Sequence, residues 1–331
     1  MARQVSLFTP TADWTPPNSL PDLSKYDEVA IDLETYDPLL MSHGPSWAFA
    51  DTGYITGIAI ATKDFNMYFP IQHEGGGNLD KNLVIKWMTK QMTHENDKVF
   101  HNSLYDMGWL KRYGIKVHGK IQDTMFAAPL IDENQYSYSL NNLGEKYCGE
   151  TKDETLLIEA AQAYGLNPKS EMYRLPAKYV GPYGEKDAGL TLQLWQVFKE
   201  LIKLENVGKI YDLETSLIPI LLDMRYKGVP VDLDVAEKVS KKLKKEEDTI
   251  LTSIHKEFGV RPDLWAAQSV ATVFDRAGLS YPRTPKTNAP SLKVGYTGNF
   301  ILYVVIVEVQ LQVDSVVVTL TFNKYQHVMK T

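Results

Sequence analysis

The sequence predicts a mixed α/β sheet covered by helices, followed by a region that is helical throughout. Strand-like runs crowd the first third of the chain, and helical periodicity enters only after the third of them. From Ser139 onward helical spacing takes over.

Taken in order, residues 1–25 are rich in proline and polar groups and read as a loosely attached N-terminal arm. The runs "EVAIDL", "YITGIAIAT" and "FNMYFPI" read as strands separated by glycine-bearing or polar breaks. In "LDKNLVIKWMTKQM", Leu79, Leu83, Ile85, Trp87 and Met88 recur near helical spacing. "KVFHN" is a short fourth strand feeding the helix "SLYDMGWLKRYG", which Gly114 stops, and "KIQDTM" is a short fifth strand. A helix is expected to follow Pro182, a residue suited to a first turn, and to run through "YGEKDAGLTLQLWQVFKELIKLE". Two more helices are expected in "DLETSLIPILLDMRYKG" and "DLDVAEKVSKKLKKEEDTILTSIHKEFG", with a domain boundary near residues 205–208. The lysines of residues 238–245 read as a solvated helix face that could also track a phosphate backbone. Beyond residue 293, Val307, Val309, Leu311 and Val313 alternate with Glu308, Gln310, Gln312 and Asp314, a strand pattern with no evident sheet to join.

The net charge of -6 offers no bulk attraction to nucleic acid, so any such binding needs a local basic surface or bridging metal ions. One cysteine, Cys148, excludes an internal disulfide framework and fits a reducing compartment. The opening "MARQVSLFTP" lacks the apolar core of a signal peptide, and no uncharged apolar stretch approaches the roughly 20 residues of a membrane helix. A cytosolic location is expected.

The strand "EVAIDLETYD" poses a problem of charge. Asp32 and Glu34 are two apart and therefore share a face, where two carboxylates repel one another and resist burial unless a cation neutralises them. Asn102, Tyr105 and Asp106 follow the fourth strand, and Tyr183 and Asp187 stand four apart on one helix face. Singly each has an ordinary explanation: solvated strand-end acids, an S-x-x-D capping box at Ser103 and Asp106, a surface pair on a helix. Together they describe an oxygen-rich site. A phosphodiester is shielded by its own charge, and two divalent ions about 4 Å apart activate water on one side and stabilise the leaving oxygen on the other. Carboxylates suit such ions, and a tyrosine beside the last aspartate can hold the attacking water.

The order D-x-E, N-x-x-Y-D, Y-x-x-x-D resembles the three motifs of DEDDy-type 3′–5′ exonucleases, and above all the proofreading domain of family-A DNA polymerases of the bacterial and phage polymerase I group. The likeness extends through "IQDTMFAAPLIDENQYSYSLNNLGEKY" and "DAGLTLQLW" and covers residues 26–205. It implies a ribonuclease-H-like fold, a five-stranded mixed sheet with flanking helices. It also implies that Asp32, Glu34, Asp106 and Asp187 bind two divalent ions, Mg²⁺ or Mn²⁺, and that Tyr183 orients the water. Thr35, Asn102 and Tyr105 would meet the 3′-terminal nucleotides of single-stranded DNA. Residues 206–292 are similar to the helical start of the polymerase thumb, whereas residues 293–331 match nothing in the family. The palm and fingers motifs do not appear, so the resemblance implies a truncated or split polymerase without polymerase activity of its own.

The resulting expectation is a monomeric, metal-dependent 3′–5′ exodeoxyribonuclease acting on single-stranded or frayed ends, in a bacterial or phage-infected cytosol, with a separate polymerase fragment as a possible partner. An RNA-trimming exonuclease with the same acids is one alternative, since the treatment of the 2′-hydroxyl is not visible in the residues. A non-catalytic half of a split polymerase that grips DNA or docks a subunit is the other.

Overall fold

The computed structural model describes residues 9–292. The valine-rich alternating tail therefore lies outside the described residues. The chain divides after Gly228 into two compact units.

The first unit is built on strands β1 (Glu28–Tyr36), β2 (Tyr54–Ala61), β3 (Asn66–Pro70), β4 (Asp97–Phe100) and β5 (Ile121–Asp123). Helices α1 (Leu40–His43), α2 (Lys81–Gln91), α3 (Ser103–Arg112), α4 (Thr124–Ile131), α5 (Leu140–Cys148), α6 (Thr155–Ala163), α7 (Ala177–Leu204) and α8 (Gly208–Lys227) surround it. The sheet has five strands in the order β3-β2-β1-β4-β5. Antiparallel pairs join β1 to β2 and β2 to β3, while β1–β4 and β4–β5 are parallel. This is the mixed sheet with flanking helices that the sequence predicts, and it has the strand number of the ribonuclease-H-like fold.

Strand parity decides what each face of β1 does. Val29, Ile31 and Leu33 enter one core with Trp87 and Met88 of α2 and Trp109 and Leu110 of α3. Ala30 points the other way, into a second core with Ala59, Ala61, Tyr179, Val180, Ala188 and Leu194. The alanines keep that face shallow, and α7 packs directly across β1, β2 and β3. Asp32 and Glu34 share the parity of Ala30. They therefore look toward α7.

Helix α7 begins at Ala177, not after Pro182 as expected. Pro176 stands at its N-cap and Pro182 lies inside it, where it deprives the Lys178 carbonyl of its usual i+4 donor. The buried residues Ala177, Tyr179, Val180 and Gly181 explain the earlier start, because that first turn is held by core packing. The proline-rich segment before β1 is also tied down more firmly than its composition suggests. Leu23 is fully buried, the Trp14 indole donates to Glu185 at 3.0 Å, and Tyr179 donates to the Pro10 carbonyl at 3.0 Å. Two large apolar side chains among polar neighbours suffice to anchor it.

Helix α8 packs on α3, α4 and β5, so it stays with the sheet although a break in helix falls at residues 205–207. Its Ile218 and Leu222 join the core of Trp109, and Tyr226 stacks on Trp47 and donates to the Gly108 carbonyl at 2.7 Å.

The second unit, described by itself, contains α9 (Leu233–Phe258) and α10 (Ala267–Ala277), which pack together with Leu251, Ala271 and Phe274 buried. Asp232 caps α9 by accepting from the Val235 N–H at 3.0 Å. Lys241 and Lys242 are exposed and pair with Glu237 and Glu246 on the same helix, the solvated face expected for this run. Among the described residues no helix is long and apolar enough to cross a membrane.

A Cβ at Gly108 would come within 2.1 Å of Trp47, whose ring is buried and stacked on Tyr226. Gly108→Ala should therefore destabilise the fold by about 1–3 kcal/mol through overpacking. Urea denaturation measures this, and an unchanged midpoint would contradict the packing described.

Candidate active site

The acids of β1 face α7, and α7 supplies their counterpart. Asp32, Glu34 and Asp187 each offer a carboxylate oxygen, and these three oxygens lie within 4.8 Å of one another. Glu34 and Asp187 are buried and Asp32 is partly exposed. Asp187 reaches the cluster because it is one helical turn beyond Tyr183, on the face of α7 that crosses the strand.

The fourth acid arrives by another route. The parallel pairing of β1 with β4 ends at Ala30↔Val99, which leaves the following stretch of that edge without a strand partner. Asp106, buried on α3, fills the gap: its carboxylate accepts the Leu33 N–H at 3.0 Å, midway between Asp32 and Glu34. Asp106 is thus one backbone hydrogen bond from the cluster, although the three-acid group does not include it.

The capping-box explanation of Ser103 and Asp106 is not what the chain adopts. Ser103 is the first residue of α3, its hydroxyl is buried without a partner, and the N-cap is Asn102 in a left-handed conformation at φ 74°. Capping comes from Asp123 at the end of β5, which accepts from the N–H groups of Asn102 at 3.2 Å and Ser103 at 2.6 Å. The same carboxylate caps α4 through Met125 at 2.8 Å. Asp123 was not singled out in the sequence, although an aspartate between a strand and a helical run is a recognisable cap signal.

Beyond Glu34 the β1–β2 register shifts, so Thr35 is re-aimed. Its hydroxyl meets the Tyr105 hydroxyl at 2.7 Å, and Tyr105 also donates to Asp37 at 3.2 Å. Asn102 is exposed at the start of the same helix. Tyr183 is half-buried, with its hydroxyl 3.3 Å from the ammonium of Lys152.

Lys152 is a second residue that the sequence reading missed. It lies in the irregular segment between α5 and α6, and its ammonium forms an ion pair with Asp187. A lone lysine in "GETKDE" carries no periodicity or motif that would have marked it.

Burial dominates the electrostatics. It raises Asp32 to about 7, with repulsion from Asp187 adding to the effect and Lys152 opposing it. Glu34 is raised well above the ordinary range by burial and by repulsion from Asp32 and Asp187, and Asp106 by burial and by Asp32. Asp187 is raised by burial, which outweighs the pull of Lys152. Burial also raises the Tyr183 phenol, assisted by Glu34 and Asp187, so it stays protonated and able to donate.

Such a site fits a divalent cation. Carboxylate oxygens are the ligands hard cations take, one ammonium cannot balance three acids, and Oδ1 of Asp187 is buried with no hydrogen-bond partner.

Residues 14–203 match the profile of the 3′-5′ exonuclease family. The chain belongs to that family. A DNA-directed DNA polymerase of Pseudomonas phage M6 is 35% identical over 291 residues, covering 85% of this chain and 44% of the relative. DNA polymerase DpoZ of Vibrio phage phiVC8 is 31% identical over 235 residues, covering 65% of this chain and 34% of the relative. The chain thus spans less than half the length of these relatives. A solved structure, the POL domain of Pol1 from M. smegmatis in complex with DNA primer-template and dNTP, shares the fold with a TM-score of 0.57 and 16% identity, over 86% of this chain and 42% of that one. The resemblance to family-A DNA polymerases drawn from motif order is borne out. Family membership and the acid cluster together make the chain a metal-dependent 3′–5′ exonuclease, and hence a hydrolase.

In metal-free protein the folded state holds protons on Asp32 up to about pH 7, whereas a free aspartate releases them near 3.8. The folded state then binds more protons than the unfolded state between those values, so this group's contribution to stability falls as pH rises through the window. Buried His73 and His101, both lowered to about 4, push the other way, so the difference between the parent and Asp32→Asn is read, which reports Asp32 together with the neighbouring acids it raises. With chelator present, the parent's stability relative to the variant should fall from pH 5 to 7.5, as followed by thermal melting. A relative gain over that range would contradict the raised pKa.

Proposed function

We propose that this exonuclease removes nucleotides from the 3′ ends of single-stranded or frayed DNA and releases nucleoside 5′-monophosphates. The observation that carries the reading is the meeting of Asp32, Glu34 and Asp187, with Asp106 bound to the backbone between the first two.

On this reading Asp32, Glu34, Asp187 and Asp106 hold two divalent ions, Mg²⁺ or Mn²⁺. When bound, the ions supply a nucleophilic water near neutral pH and stabilise charge on the leaving oxygen. Tyr183 keeps its proton and donates or accepts a hydrogen bond that holds the attacking water in line. The water oxygen bonds to phosphorus as the bond from phosphorus to the neighbouring 3′-oxygen breaks. The terminal nucleotide leaves with its 5′-phosphate, and the shortened strand keeps a 3′-hydroxyl. Thr35, linked to Tyr105 hydroxyl to hydroxyl, lies near the terminal sugar and phosphate, and Asn102 and Tyr105 touch the 3′-terminal nucleotides. Contacts to backbone and base faces of this kind tolerate any sequence.

DNA is the favoured substrate because the relatives at 35% and 31% identity carry DNA polymerase names. Residues 26–205 then form the proofreading domain of a family-A polymerase, and residues 206–292 begin its thumb. A monomer working in a bacterial or phage-infected cytosol completes the proposal.

The test uses 3′-labelled single-stranded DNA and RNA with Mg²⁺ or with chelator. Terminal mononucleotides should appear from DNA only with metal. Faster attack on RNA would favour the RNA-trimming alternative, and no cleavage the non-catalytic one. Asp32→Ala and Asp106→Ala should each slow cleavage by about 10²-fold or more, since losing even a residue that only supports a metal ligand costs about 10–100-fold. Tyr183→Phe should cost less, because the acids and the substrate contacts remain. Normal cleavage by Asp106→Ala would remove that residue from the site.

A further inference from the structure

Lys152 brings a positive charge to the Asp187 side of the acid cluster. Its ammonium pairs with Oδ2 of Asp187, lies 3.3 Å from the Tyr183 hydroxyl and sits over the Tyr183 ring, 5.1 Å from its centroid. The side chain is only 15% exposed, and that of Asp187 only 5%. The backbone holds the lysine in place from behind, because its N–H donates to the Asn141 side chain of α5 at 2.9 Å.

One carboxylate oxygen of Asp187 is thus engaged by Lys152, while the other is buried and has no partner. A strongly paired ammonium and a divalent cation are rivals for the same anionic group, since both draw on the same lone pairs and charge. There is also somewhere for the lysine to go. Lys152 lines a cavity of about 640 Å³, whose wall also carries Ser139, Asn141, Glu154 and Tyr183. The four-carbon stem of a lysine is flexible, and this wall offers the ammonium polar company away from Asp187.

We propose that Lys152 is the built-in countercharge of the metal-free site and competes with an incoming divalent cation for the Asp187 carboxylate. The proposal rests on the metal-binding reading of the acid cluster. Lys152 offsets the repulsion among the carboxylates when no metal is present, and it weakens metal binding by drawing on the charge of Asp187. The site then loads metal only at a concentration that this competition sets.

The test measures Mn²⁺ binding to the full chain by the electron paramagnetic resonance of free Mn²⁺, for the parent and for Lys152→Met, Lys152→Gln and Lys152→Arg. Both charge-free variants should bind Mn²⁺ about tenfold more tightly, the effect of removing one competing charge-assisted bond, while Lys152→Arg stays near the parent. The gain in melting temperature on adding a fixed Mn²⁺ concentration should rise in parallel, since ligand stabilisation follows affinity. Two charge-free variants of different polarity are used so that a packing fault peculiar to one does not decide the matter. Binding no tighter than the parent's in both would overturn the proposal and leave the metal reading standing. Mn²⁺ bound by neither parent nor variants would end the metal reading, and the proposal with it.

Discussion

Repulsion among carboxylates gathered in a poorly solvated place is the constraint around which the first unit is arranged. Asp32, Glu34 and Asp187 bring oxygens within 4.8 Å of one another, where burial and mutual repulsion both oppose ionisation. A chain selected for stability alone would not place them there. The cluster makes physical sense as a cradle for positive charge, and the rest of the unit can be read as the means of holding that cradle rigid. Strand β1 is central in the sheet, bounded by β2 on one side and β4 on the other, so its acids sit on the stiffest element available.

Support for the cradle comes from three directions. The alanine-lined face of the sheet lets α7 lie close enough for Asp187 to meet the strand. The early end of the β1–β4 pairing leaves a backbone N–H that Asp106 takes up, coupling α3 to the midpoint of the acid pair. Asp123 caps both α3 and α4, so the helix that carries Asp106 is fixed at the end nearest the site. Each of these uses a side chain that is nearly or wholly buried, and a buried polar group is tolerated only where its partners are in place.

Much of this was legible in the residues. The alternation of "EVAIDL" put Asp32 and Glu34 on one face, and the four-residue spacing put Tyr183 and Asp187 on one helix turn. Local periodicity is a property of the chain itself, so it survives folding. The sheet order, the meeting of β1 with α7 and the bond from Asp106 to Leu33 depend on contacts between residues far apart, and motif resemblance, not periodicity, foretold the convergence of Asp32, Glu34 and Asp187. Pro182 misled for a related reason: its local preference for a first turn was overridden by core packing of Ala177, Tyr179 and Val180. The arm looked loose because two anchoring residues, Trp14 and Leu23, are lost in a polar average. Lys152 left no trace at all, since a charge in a loop acquires meaning only from what the fold sets opposite it.

The central claim is that these acids form a cation site. The most direct measurement is anomalous X-ray scattering from crystals of the full chain soaked in Mn²⁺. The account expects a strong Mn²⁺ peak between Asp32, Glu34 and Asp187, at about 2.0–2.3 Å from their oxygens as hard-cation coordination requires. Crystals with no peak there at saturating Mn²⁺, or with the metal bound only elsewhere on the surface, would contradict it.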